Sequence, residues 1–241
     1  VDNSIVTDAL PPTGAERQNA HRPSMRPVLA HYAPDETFRL AARFRKPGAR
    51  LRTTTNALIV IKRDGLHLQG GFAVRAEHEK TFAVNVPVPR GWEITQVSSA
   101  EGRALSYERY REKDGAIRLH IRLPGGLAPG REQTILFEAK RIPPDWLDPW
   151  QSRTISFPVF RISNATSDKG AVAARAEDGL RLLPDVIEGL TPLHKEEKPS
   201  YGLEGVETDM AYRYETPPYR LTLKATPITP RITAESLCFF R

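Results

Sequence analysis

The chain has 241 residues, of which 39% are apolar and 27% charged, with a formal net charge of +6. This length and apolar content exclude a disulfide-stabilised miniprotein and a wholly disordered chain, and no stretch reaches the roughly 18 to 20 consecutive apolar residues of a transmembrane segment. The 35 basic residues are scattered among 29 acidic ones instead of forming a tract, so we expect no specific nucleic-acid partner. They are interpreted as solvent-facing strand positions, with a broad cationic face that meets an acidic polysaccharide or cell surface as the alternative.

Strand patterns dominate the chain. Apolar and polar residues alternate from Phe38 to Phe44, which is the period of a half-buried strand. Asp64-Gly65 and Asp114-Gly115 each separate two apolar runs. This arrangement predicts two β-hairpins, because the turn needs a positive φ that Gly adopts without strain. Further strands are predicted at 82–86, 92–97, 134–138, 154–162, 219–224 and 231–240.

Helical patterns are weak, and the best candidate, 171–176, is short. Many short strands with a turn signal about every 8 to 12 residues are typical of antiparallel sandwiches. The sequence therefore predicts an all-β fold, with an immunoglobulin-like antiparallel β-sandwich at 28–141 followed by a second, smaller β unit at 153–241. A Pro/Trp-rich junction at 142–152 would connect the two units, and 1–27 would be an extended segment from the end of a preceding repeat.

A weak internal repeat supports the idea of a tandem array. Phe38-Arg39-Leu40 and Arg50-Leu51 match Tyr219-Arg220-Leu221 and Arg231-Ile232 at an offset of 181 positions. Residues 211–241 thus resemble the start of a next repeat, and stacked repeats bury their apolar faces against their neighbours. The alternative is a chance similarity between edge strands of one fold. If the repeat is real, neighbouring β domains of the same longer chain are its partners.

No catalytic signature is found in the sequence. The G-x-S-x-G, G-x-x-x-x-G-K-[ST], G-x-G-x-x-G and H-E-x-x-H motifs are all missing. Glu77-His78-Glu79, with His67 a hairpin away, could bind a divalent metal, but a solvated loop is the favoured interpretation. Cys238 is the only cysteine and lies among apolar residues, so it is interpreted as a core residue. We therefore predict no catalytic residue, no metal and no cofactor.

A loop with two of the three tryptophans is the best candidate ligand site. Indole rings stack on sugars, and carboxylates accept hydrogen bonds from sugar hydroxyls. This chemistry makes Asp145, Trp146, Asp148 and Trp150 the candidate glycan-binding residues. The alternative, which the composition favours, is a proline-stiffened linker whose tryptophans fill the seam between two packed units.

The segments 87–94, 114–119 and 127–132 resemble the β-sandwich modules of large, repetitive bacterial surface and exported proteins. They are also similar to non-catalytic sandwich domains attached to aminopeptidases and other exported enzymes. The resemblance lies in the turn residues of about 38–140 and transfers no catalytic residue. It implies a scaffold or adhesion module outside the cytoplasm, whether extracellular, at the cell surface or periplasmic.

The leading hypothesis is a non-enzymatic structural or surface-interaction segment of a larger tandem-β exported bacterial protein. Besides its neighbouring β domains, it would contact an acidic glycan or a cell surface. A carbohydrate-binding module that uses the Trp/Asp loop is one alternative. The other is an accessory domain of an exported hydrolase, or a hydrolase whose site is assembled from scattered carboxylates.

Overall fold

The structure is a computed structural model that describes residues 50–113 and 115–228, apart from the side chain of Ser167. The predictions for 1–49 and 229–241, including the segment 1–27, the strand from Phe38 and the surroundings of Cys238, lie outside the described residues. A 3-10 helix spans Lys195–Tyr201, and no helix in the described ranges has the length and apolar character needed to cross a membrane. The strands are β1 (Leu51–Lys62), β2 (Gly65–Ala76), β3 (Thr81–Val88), β4 (Glu93–Ser99), β5 (Tyr107–Arg111), β6 (Ile117–Leu127), β7 (Glu132–Arg141), β8 (Arg153–Ser156), β9 (Ala165–Ala176), β10 (Leu180–Glu188), β11 (Thr191–Pro192), β12 (Met210–Tyr214) and β13 (Arg220–Pro227).

These strands form three sheets, which confirms the predicted all-β, sandwich-like fold. The largest sheet has the strand order β11-β12-β9-β1-β2-β7-β4, and the two smaller ones have the orders β10-β13-β8 and β3-β6-β5. The pairings between these strands are antiparallel, except that β1 and β9 run parallel. Side chains from all three sheets contribute to one apolar core.

The seven-stranded sheet takes strands from both sides of the predicted junction at 142–152. Four of its strands precede that segment and three follow it. The link between the two halves is the parallel pairing of β1 with β9. The described part of the repeat-like segment 211–241 forms β12, which pairs with β9, and β13, which pairs with β10 and β8. Strands from the two predicted β units therefore pair with each other in the seven-stranded sheet.

Both predicted hairpins are present. Lys62 pairs with Gly65 across the turn that joins β1 to β2. Arg111 pairs with Ile117 at the end of the β5–β6 hairpin, and Gly115 in that turn has a φ of +83°. A residue with a Cβ rarely adopts this conformation, so glycine at this position lets the turn close.

The weak helical candidate at 171–176 does not form a helix, because this segment belongs to β9. Alanine favours helices by local propensity, but here a second constraint decides. A Cβ on Gly170 would lie 2.0 Å from the Thr55 backbone oxygen on the neighbouring strand. Small side chains let β9 pair closely with β1 on one side and with β12 on the other.

The core contains aromatic side chains from several elements. Phe72 of β2 stacks on Phe137 of β7 with ring centroids 4.9 Å apart, and Phe160 contacts both Phe137 and Trp92. Trp92 is buried, as a strand-entry core residue would be. The predicted strand at 154–162 is only partly present: β8 ends at Ser156, and the irregular chain after it places Phe157 and Phe160 in the core.

Candidate functional site

The tryptophan loop packs against the core. Trp146 is only 3% exposed, and its Nε1 donates a hydrogen bond to the Lys62 carbonyl oxygen over 3.0 Å. The two indole rings meet edge to face at 5.0 Å, and the Arg153 guanidinium lies 5.8 Å from the Trp146 ring centroid and 5.9 Å from that of Trp150. Trp146 therefore has no open ring face for a sugar. Its burial agrees with the alternative in which the tryptophans fill a seam.

The other predicted glycan contacts lie at the surface of the same loop. Asp145 and Asp148 are exposed, and Trp150 is half-buried. Asp145 has a φ of +57°, and its carbonyl oxygen accepts a hydrogen bond from Arg153. The backbone of this loop is thus held by its own contacts. The role of the Asp145 and Asp148 carboxylates in glycan binding stays a prediction.

The His67 and Glu77 side chains have separate partners. His67 Nε2 lies 3.2 Å from Asp64 Oδ1, whereas Glu77 forms an ion pair with Arg52. Within the described ranges, no three His, Cys, Asp or Glu side chains are grouped as a metal site would require.

The most unusual polar group is a buried carboxylate at one end of the core. Asp168 of β9 is 8% exposed, and a carboxylate is seldom buried unless it is paired or hydrogen-bonded. Its Oδ1 atom accepts three hydrogen bonds, from Thr53 Oγ1 at 3.1 Å, Thr55 Oγ1 at 3.0 Å and Tyr214 OH at 3.3 Å. No hydrogen bond to Oδ2 is found among the residues of the described ranges.

Strand register brings this cluster together. Thr53 lies opposite Asp168 in the parallel pairing of β1 with β9, and Thr55 shares the same face because side chains alternate with a period of two. Tyr214 reaches the carboxylate from β12, where it pairs with Gly170. A Cβ on Gly170 would lie 2.8 Å from the Tyr214 hydroxyl oxygen. Glycine therefore leaves room for the hydroxyl that bonds to Asp168.

Burial sets the protonation behaviour of this cluster. Removal from water raises the pKa of Asp168, and hydrogen bonds from Thr55, Thr53 and Tyr214, together with the charge of Arg161, oppose that rise. Burial likewise raises the pKa of Tyr214 and Tyr219 far above the ordinary tyrosine value, with a further contribution from the nearby Asp168 charge. The two tyrosines are thus neutral hydroxyl groups at any physiological pH.

Asp168 lies beside a cleft of about 350 Å³. Two arginines also line it. The Nη2 atom of Arg118 lies 2.8 Å from Glu112 Oε1, while its Nε is buried with no hydrogen-bond partner in the described part of the chain. Arg161 is exposed and forms no ion pair with the described residues. We call this the Asp168 cleft, and its lining includes Pro87, Arg118, Arg161, Asn164, Asp168 and Pro217.

A flat, open surface adjoins the cleft on the β3-β6-β5 sheet. Register places Pro87, Arg118 and Tyr110 side by side across the three strands. Asn85 and His120 pair two residues further along β3 and β6, and their side chains therefore lie on the same face. A shallow cavity of about 480 Å³ lies further along β6 and includes Phe82, which is 61% exposed. We call this surface the β6 face, and it consists of Phe82, Ala83, Asn85, Pro87, Tyr110, Arg118, His120 and Arg122.

Hydrogen bonds hold the polar side chains of the β6 face in place. Asn85 Oδ1 accepts from His120 Nδ1 at 2.9 Å and from Tyr110 OH at 3.4 Å. Arg122 forms an ion pair with Glu108. Phe82 packs over Gly126, where an added Cβ would lie 2.8 Å from its ring, and the Lys80 ammonium lies 5.2 Å from the ring centroid. The face thus presents fixed aromatic and hydrogen-bonding groups.

Sequence reasoning missed both the Asp168 cleft and the β6 face. The nearest local signal for the cleft was the run Thr53-Thr54-Thr55, in which alternate hydroxyls share one side of a strand. A carboxylate two residues before Gly170 in an apolar strand was a second signal. Neither identifies the partner strand, so neither predicts the cluster.

No protein-family model and no curated protein sequence matches the chain. Among solved structures, the chain is similar to an M1 zinc metallopeptidase from Deinococcus radiodurans, with 11% identity, a TM-score of 0.44, and coverage of 72% of this chain and 42% of that one. It is also similar to native leukotriene A4 hydrolase from Saccharomyces cerevisiae, with 10% identity, a TM-score of 0.47, and coverage of 76% and 31%. Both are enzymes rather than surface-protein modules, and the chain spans less than half the length of each. At this identity and TM-score, the similarity transfers no activity to this chain.

Proposed function

We propose that this chain is a non-enzymatic interaction domain of a longer exported protein, and that it binds a glycan along the β6 face. The observation that carries the proposal is the pair of exposed aromatic rings, Phe82 and Tyr110, with the hydrogen-bonded Asn85 and His120 on the same face. Aromatic rings pack on the apolar faces of sugars, and fixed polar groups select their hydroxyls. The β6 face thereby replaces the tryptophan loop as the candidate glycan site.

The dimensions of the β6 face suit a short oligosaccharide. From Ala83 to Pro87 the strand advances about 13 Å, at about 3.3 Å per residue. The surface along this track is open, so a glycan would lie across it rather than enter a closed pocket. Hydrogen bonds already orient Asn85 and His120, and fixed groups lose little entropy when a ligand binds.

Three parts of the sequence-based hypothesis stay predictions. The exported location depends on the resemblance to surface modules, and the tandem arrangement depends on the repeat that continues beyond residue 228. The role of accessory domain of an exported hydrolase also stays a prediction. Binding by the β6 face is compatible with either setting.

Calorimetric titration of the chain with neutral and acidic oligosaccharides tests the proposal. We expect Phe82→Ala to weaken binding about tenfold, or about 1.4 kcal/mol, as for an aromatic contact at the centre of an interface. Leu147→Ala is the matched control, because Leu147 is an exposed apolar residue of the tryptophan loop, and its affinity should equal that of the wild type.

Two results would reject this function. If Trp150→Ala abolishes binding while Phe82→Ala retains it, the glycan site is the tryptophan loop. If the oligosaccharides are cleaved during the titration, the domain is an enzyme and the non-enzymatic assignment is wrong.

A further inference from the structure

We propose that the Asp168 cleft is the subsite for a uronic acid residue of the bound glycan. This inference rests on the proposed function. The sugar carboxylate would contact Arg118 and Arg161, and one of its ring hydroxyls would donate a hydrogen bond to Asp168.

The arginines supply the anion-binding half of the subsite. Arg118 lines the cleft, and its ion pair with Glu112 through Nη2 holds the guanidinium in place. Arg161 adds a second guanidinium with no ion pair in the described part of the chain. Guanidinium groups bind carboxylates well, because their planar N–H groups match the two carboxylate oxygens.

Asp168 supplies the acceptor half and narrows the ligand class. All three hydroxyl groups that bond to this carboxyl donate to Oδ1, so Oδ2 remains free of hydrogen bonds from the described residues. An anion without a hydroxyl group, such as chloride or sulfate, would face this carboxyl with no proton to share. A ligand that carries both a carboxylate and hydroxyl groups satisfies the arginines and Asp168 together. A uronic acid has this combination on one sugar ring.

The shape and position of the cleft agree with this ligand. A volume of about 350 Å³ lies within the range of small-molecule sites, about 300–1,000 Å³. Pro87 and Pro217 provide apolar walls for the sugar ring. Pro87 and Arg118 also belong to the β6 face, so the rest of the glycan can leave the cleft along β6.

The test compares an oligogalacturonate with the same oligosaccharide after its carboxyl groups have been reduced to alcohols. We expect wild-type protein to bind the acidic form about tenfold more tightly. Arg161→Gln should reduce this preference, because only Arg118 then contacts the carboxylate, and it should leave affinity for the reduced form unchanged. Arg181→Gln is the control, because Arg181 is an exposed arginine on β10, outside both the cleft and the β6 face.

Each contrary result has a distinct meaning. Equal binding of both oligosaccharides by the wild type would overturn the uronic acid subsite and leave glycan binding by the β6 face intact. An equal loss of preference in Arg161→Gln and Arg181→Gln would also overturn it, because the preference would then come from overall charge. Binding of neither oligosaccharide would overturn the subsite and the proposed function together.

Discussion

Replacing Trp146 with alanine distinguishes a core tryptophan from a sugar-binding one. A buried tryptophan side chain removes about 150–250 Å² from water, which at about 25 cal/mol per Å² amounts to about 4–6 kcal/mol. Trp146 is 3% exposed, so its burial contributes nearly the whole of this free energy. Alanine keeps part of the burial, and we expect a loss of about 3–5 kcal/mol in the free energy of unfolding. The lost hydrogen bond to the Lys62 carbonyl contributes about 1 kcal/mol of this.

Urea denaturation followed by far-ultraviolet circular dichroism measures this change without relying on tryptophan fluorescence. Leu147→Ala is the control, since Leu147 is 72% exposed and should alter the unfolding free energy by less than about 0.5 kcal/mol. The reasoning fails if Trp146→Ala unfolds at the wild-type urea concentration but no longer binds a glycan. That result would return Trp146 to the surface site that the sequence suggested.

Three further substitutions test the cluster and the β6 face. Gly170→Ala should cost more than about 3 kcal/mol, because its Cβ would lie 2.0 Å from the Thr55 backbone oxygen; a loss below about 1 kcal/mol in urea denaturation would contradict this. Asp168 has a pKa raised above 3.8 by burial, so its contribution to stability is complete below pH 3.8 and is lost as the pH rises through the folded-state pKa. Asp168→Asn should therefore gain stability relative to the wild type as the pH rises above 3.8. Parallel pH profiles for the wild type and Asp168→Asn would refute the assignment. Phe82→Ala should change the unfolding free energy by less than about 0.5 kcal/mol, because Phe82 is 61% exposed. A larger loss in the same denaturation assay would mean that weaker glycan binding by this variant reflects lost stability, not a lost contact.

Local sequence patterns predicted both hairpins and most of the described strands, but not β9 or β10. The hairpin turns before Gly65 and at Gly115 depend on residues adjacent in the chain, so their signals are complete in the sequence. Failure came where local propensity and tertiary packing disagree. Residues 171–176 are rich in alanine, which favours helix, but close approach of β1 selects small side chains for a central strand.

The tryptophan loop shows a second limit of local reasoning. Two tryptophans beside two carboxylates have the composition of a sugar-binding loop and equally that of a buried seam. The sequence favoured the buried seam but could not decide between the two interpretations. The choice depends on whether Lys62 and Arg153 lie against the indole rings, which only the packed chain shows.

By itself, the sequence determined the all-β class, the hairpins and most strand positions, because a period of two and turn residues are properties of neighbouring residues. The tertiary structure decided which strands pair. The parallel pairing of β1 with β9 places Thr55 against Asp168, 113 positions away in the chain. It thereby created the buried carboxylate and its cleft. Strand partners are chosen by packing and register over the whole chain, and no local pattern encodes that choice.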